Sequence, residues 1–174
     1  MHPITDEIEK AVATLKSQMS LVAEEAKFVV DDYWAVFKVE NKKINTAIAR
    51  GEDAKKPASL APVVDDLYRA GRKPNIRWRI FSSEMRKLSK HLTSANGKNT
   101  SPSEPLKPTV RGYTDKQLSN YCVGWETEMV LKTEEKLSDA RKAIDHIQGA
   151  IVGLERILRH SKSHKQSQQE LSNG

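Results

Sequence analysis

Ile8, Val12, Leu15, Met19, Val22, Ala26, Val29 and Tyr33 step alternately by four and three residues, the spacing of one apolar stripe on a helix under a heptad repeat. Thr5 is placed as an N-cap, with Asp6, Glu7 and Glu9 complementing the positive end of the helix dipole. The stripe continues through Val36 or Phe37, meets Glu40, resumes at Ile44 and Ile48, and Gly51 offers a C-terminal stop. A helix from about residue 6 to about residue 50 would be ~65–70 Å long. That is too long for a compact globule, so it calls for a partner helix.

The second half of the chain supplies one. Thr114 and Gln117 have capping-box spacing, and Tyr113 with Leu118 stands at the positions of a hydrophobic staple, so a helix start is expected near residue 114. Val130, Leu137, Ile144, Ile151 and Leu158 then recur every seven residues, with Ala140, Ile147 and Leu154 between them. Gly124 is a weak point, which delays the regular helix to about Trp125. Two seams of similar length favour a long antiparallel, coiled-coil-like helical hairpin; a homodimer that pairs the seams between chains is the competing arrangement. In both arrangements the seams are core.

Residues 52–112 differ in kind, holding six of the seven prolines, so no long helix crosses them. Val63, Val64, Leu67 and Tyr68 suit one or two helical turns ending at Gly71. Ile76-Arg77-Trp78-Arg79-Ile80 alternates apolar and basic residues with period two, which reads as a half-buried strand with arginines on its open face and Trp78 turned to the core. From Phe81 the spacing of Met85, Leu88 and Leu92 suits a short helix, with a second strand as the alternative. Thr93 to Gly112 is rich in turn formers and reads as a mobile loop; Ser161 to Gly174, polar and low in complexity, reads as a disordered tail. The expected architecture is therefore mainly α: a first stalk helix over 1–51, a small basic α+β insert over 52–112, a second stalk helix over 113–160 and a tail over 161–174.

Charge sharpens this division. The 174 residues carry 29 Lys and Arg against 23 Asp and Glu, a net +6. Between Arg69 and Arg111 there are eleven basic residues and two acidic ones, or +9; the rest of the chain has eighteen basic and twenty-one acidic residues, or −3. All the net positive charge thus sits in the insert, on a stalk that leans acidic. A basic head of this kind is the electrostatic footprint of a nucleic-acid partner. Arg69, Arg72, Lys73, Arg77, Arg79, Arg86, Lys87 and Lys90 are the candidate contacts to double-stranded DNA, most of them as phosphate clamps. Arg77 and Arg79, projecting the same way from one strand, are placed to enter a major groove. A solvated basic surface and a contact for an acidic protein are the alternatives.

Other chemistry is not supported. Gly97-Lys98-Asn99-Thr100 lacks the earlier glycine of a phosphate loop. His2, His91, His146, His160 and His164 form no metal signature with Cys122, the only cysteine. Tyr113 and Tyr121 have no histidine cluster beside them to support DNA nicking. No catalytic residue, metal or cofactor is therefore expected. The single cysteine, the acidic amino terminus and the lack of a run near the ~18 apolar residues of a membrane span point to a soluble cytoplasmic protein with no membrane partner.

With Asp31-Asp32-Tyr33-Trp34, Ile76-Arg77-Trp78-Arg79, Tyr113, Gly124-Trp125-Glu126, Glu134-Glu135 and Arg141 in view, the chain resembles the MobI family of auxiliary mobilisation proteins of integrative and conjugative elements and conjugative plasmids. The likeness spans about residues 20 to 158. It implies a protein that helps to initiate conjugative transfer at the origin of transfer, beside a separate relaxase or other transfer protein. The rival expectations are a coiled-coil adaptor that docks proteins through its seams and a DNA-binding transcriptional regulator.

Overall fold

The structure, a computed structural model, describes residues 3–65, 73–81, 103–109 and 112–172, with side chains from residue 4 to residue 161. Within them the chain is mostly helical and carries one small antiparallel sheet. Helix α1 spans Pro3–Ala49. It starts at Pro3, ahead of the expected cap at Thr5, because the fixed φ of proline and its missing N–H suit a first helical turn. At the other end Gly51, at φ 73°, lets the Gly51 N–H reach the Ile48 carbonyl (3.0 Å) and the Glu52 N–H reach Ala47 (3.0 Å). These two bonds satisfy the last carbonyls and stop the helix.

Strand β1 (Leu60–Asp65) pairs with β2 (Asn75–Ile80), and β2 pairs with β3 (Glu104–Pro105), so β2 is central. The expected helical turns at Val63 and Val64 are replaced by β1. The reason is tertiary: these β-branched residues face Arg77 and Ile76 across the ladder, and Pro62 is tolerated because β1 is an edge strand. β3 lies inside the segment read as a loop; Ser103 and Leu106 are buried, and the Leu106 N–H donates to the Trp78 carbonyl (2.9 Å). Leu67, Tyr68, the Met85–Leu92 pattern and residues 93–102 lie outside the described residues.

The cap at Thr114 forms, its hydroxyl accepting from the Gln117 N–H (3.2 Å). The Gln117 side chain does not close the box; it donates instead to the Lys107 carbonyl (2.7 Å). The resulting helix α2 is short, Asp115–Ser119, and the long helix α3 runs over Thr127–Ser172, beginning just past Gly124 and continuing through the segment read as a tail. At its entry the Glu126 carboxylate accepts from the Val123 N–H (3.1 Å), half of a second capping box.

Two apolar clusters hold these elements together. In one, Val12, Met19, Ala23, Ala26 and Val30 of α1 pack with Leu137, Ile144 and Ile151 of α3, and Ile76 of β2 joins them. The buried line of α1 thus runs through Ala23 and Val30, one position beyond the Val22 and Val29 of the expected stripe, which are only partly buried. Contacts made early in α1 fall late in α3: Lys16 pairs with Glu155 (2.9 Å), whereas Tyr33 lies beside Glu126. The other cluster surrounds Trp78 with Tyr33, Phe37, Leu60, Leu118 and Val130.

Three polar side chains of α1 also grip the sheet and its approach. The Tyr33 hydroxyl donates to the Leu60 carbonyl (2.7 Å), the Trp34 indole N–H to the Pro62 carbonyl (2.9 Å), and the Asn41 amide both accepts from the Ala58 N–H (2.7 Å) and donates to its carbonyl (3.0 Å). Tyr33 Oη is also 3.4 Å from Glu126, which is fully buried and forms no ion pair among the described residues. Burial pushes the Glu126 carboxyl from near 4.5 up to about 7, against the opposing pull of its bonds from Val123 and Tyr33.

Because the folded protein holds this proton more tightly than the unfolded chain, its stability falls as pH rises from about 4.5 to about 7. Glu126→Gln removes that dependence. Urea denaturation at pH 5 and pH 8 is expected to show the wild type losing up to about 3 kcal/mol relative to the variant; parallel pH profiles would contradict this account of Glu126.

Candidate nucleic-acid interface

Strand β2 carries the centre of the site expected from the sequence, and its pleat sends successive side chains to opposite faces. Ile76 and Trp78 are buried. Trp78 packs edge-on against Tyr33, with ring centroids 5.5 Å apart, so it is a core residue and offers no face for stacking on a base. Arg77 and Arg79 alternate with them and are half-buried.

Both arginines have partners within the chain. Arg77 Nη2 lies 2.6 Å from Asp65 Oδ2. The register explains the pair: Arg77 faces Val63, which places Asp65 at the diagonal position on the same face of β1. Arg79 donates from Nε to the Ser103 hydroxyl (2.7 Å) and from Nη2 to the Ser103 carbonyl (2.8 Å), tying β2 to the start of β3. Lys73, just before β2, pairs with Asp145 of α3, both side chains about half exposed. Such an exposed pair is worth at most about 1 kcal/mol and gives way readily to a competing anion. Arg69, Arg72, Arg86, Lys87 and Lys90 lie outside the described residues.

The sheet is locked to α3 by a network that the charge pattern did not reveal. The Trp78 indole N–H donates to Glu134 Oε2 (2.7 Å), and the other Glu134 oxygen accepts from Arg141 Nη2. The Arg141 guanidinium lies over the Tyr113 ring, 5.0 Å from its centroid. The Tyr113 hydroxyl donates to the Leu106 carbonyl (3.0 Å) and accepts from the Trp78 N–H (3.3 Å). Burial pushes the Glu134 carboxyl upward, against the opposing pull of Trp78 and Arg141, and burial likewise raises the Tyr113 phenol. Tyr113, Glu134 and Arg141 stand with Trp78 among the residues that carry the family resemblance, and a tryptophan at an inward strand position adds a physical signal, since a buried indole N–H needs an acceptor.

This arrangement fixes positive side chains on a rigid sheet braced by a long helix. Cys122 is the only thiol. It is pushed up to about 11 by burial and by nearby Glu126, so it stays protonated. Among the described residues no group of three His, Cys, Asp or Glu side chains is placed to hold a metal ion, and no helix is long and apolar enough to cross a membrane.

Comparison with known proteins places this geometry in context. The family model described as MobI protein matches residues 22–155, most of the chain. No curated protein and no solved structure matches it.

Truncating Glu134 strands both the indole N–H of Trp78 and Arg141, whose side chain is only 20% exposed. Glu134→Ala is expected to lower stability by about 3 kcal/mol in urea denaturation. Glu134→Gln keeps an acceptor for Trp78 and is expected to lose distinctly less; equal losses would count against the indole bond as a main part of the effect.

Proposed function

The chain belongs to the MobI family, and on that premise we propose that it is a non-catalytic auxiliary protein of conjugative mobilisation. It binds double-stranded DNA at an origin of transfer and leaves the cutting to a separate relaxase or other transfer protein. It works in the cytoplasm, without cofactor or metal. The observation that carries the DNA assignment is the concentration of +9 between Arg69 and Arg111 against −3 elsewhere.

In this reading α1 and α3 form a long antiparallel hairpin, a coiled-coil-like stalk, and the sheet with its neighbouring basic segment is the head that meets DNA. The opposite order of contacts along the two helices supports the hairpin. The bonds from Tyr33, Trp34 and Asn41 to the sheet and its approach support a head held rigidly on the stalk. Lys73, Arg77 and Arg79 serve as contacts among the described residues, and Arg69, Arg72, Arg86, Lys87 and Lys90 are the further contacts proposed from the sequence. Asp65 and Asp145 hold two of these cations until phosphates replace them.

A protein-docking adaptor is the second reading, and one observation favours it. Leu21 and Phe28, seven residues apart on α1, are 57% and 70% exposed. Crosslinking followed by sequencing of the bound DNA separates the readings. Enrichment at one transfer origin supports mobilisation, enrichment at promoters supports a transcriptional regulator, and no enrichment supports the adaptor.

Replacing both Arg77 and Arg79 with Ala is expected to weaken duplex binding about tenfold at moderate salt and to lessen the salt slope by about 2. Circular dichroism should show helix content retained. Unchanged affinity in the folded variant would remove β2 from the interface.

A further inference from the structure

A groove of about 550 Å³ opens where β2, the connector after β3 and α3 meet. Ser138, Arg141, Lys142 and Asp145 line it from α3. Their spacing of three, four and seven residues puts them on one helix face. Arg77 enters from β2 and Lys107 from the connector, so the lining holds four cations from three parts of the chain against one carboxylate, Asp145, which already pairs with Lys73.

The cations differ in how they are held. Lys107 and Lys142 are exposed, and the pair between Lys142 and Asp139 is a surface contact of little strength. Arg141 is rigid, with one nitrogen on Glu134 and its plane over Tyr113. Arg77 is anchored through Nη2 to Asp65. Arg141 Nη1 and Arg77 Nε are both buried without a hydrogen-bond partner. Buried N–H groups are rarely left in that condition, and a small shift of the groove lining that uncovered these two would give them an acceptor. A guanidinium held on Glu134 and flanked by exposed lysines suits the tetrahedral oxygens of a phosphate.

We propose that this groove seats a phosphate of the nucleic-acid backbone, with Arg141 as its fixed centre, Arg77 beside it, and Lys107 and Lys142 closing on it. The inference rests on the DNA-binding reading and extends it. The interface then continues off the basic insert onto α3, and the buried network around Trp78 becomes the support of a binding residue.

The test uses the full chain and a short labelled duplex, with affinity followed by fluorescence anisotropy across a salt series. Lys107→Ala with Lys142→Ala alters only exposed side chains and is expected to weaken binding about tenfold and to cut the salt slope by about 1.8, at ~0.9 per lost contact. Arg141→Lys keeps a positive charge opposite Glu134 but loses the fork and the stack on Tyr113, and is expected to weaken binding, with circular dichroism checking that the variant is folded. If the wild type binds DNA in a salt-dependent way and the lysine double variant matches it in affinity and slope, the groove is overturned and the DNA reading stands. If the wild type shows no affinity for duplex, both fail. Calorimetry with inorganic phosphate covers the other source of the same chemistry: binding of the free ion that Arg141→Lys abolishes, in a protein without DNA affinity, would make the groove a small-anion site and overturn its assignment to nucleic acid.

Discussion

The described fold depends on the complete burial of Trp78. A central strand of a three-stranded sheet has little core of its own, and this sheet gains one by sending an indole between two long helices. The ring packs on Tyr33 of α1, and its N–H is satisfied by Glu134 of α3. That requirement draws a carboxylate into the interior, and the carboxylate in turn draws in Arg141, whose exposed flank is covered by Tyr113. Each polar group is buried because another satisfies it, so the network specifies where the sheet sits as well as stabilising it.

Much of this could be read from the sequence, and the misses share a cause. The seam positions Val130, Leu137, Ile144 and Ile151 are buried as their period of seven implies, and the stop at Gly51 and the cap at Thr114 form where local chemistry puts them. Strand β2 appears over the alternating segment, its apolar positions inward. What could not be read depends on pairing between distant residues. Val63 and Val64 look helical in isolation and become a strand only because β2 lies alongside; Glu104 and Pro105 look like loop until β2 gives them a partner. The one-residue shift to Ala23 and Val30 likewise depends on how α3 meets α1.

The electrostatics follow the same division. Composition locates the positive charge but says nothing about which acids stand next to it. Asp65 and Asp145 come from outside the basic segment and meet Arg77 and Lys73 through the fold. Arg141 and Lys142 come from the acidic-leaning part of the sequence, yet share a groove with Arg77. The charge map along the chain and the charge map on the surface are therefore different objects, and only the second can meet a ligand.

The order of contacts along the two long helices bears on how the chain reaches this state. The Tyr33 bond to Leu60 spans 27 residues, and β1 meets β2 across a shorter separation still, whereas Lys16 and Glu155 are 139 apart. Joining the distant ends first would carry the largest loop-closure entropy, but once the sheet is seated on the helices each further turn of the seam closes only a small additional loop. Loop closure thus favours contacts around Trp78 forming before those that join Val12 to Ile151. Local opening is by the same argument expected first at the ends of the two long helices and last at the sheet that carries Arg77 and Arg79.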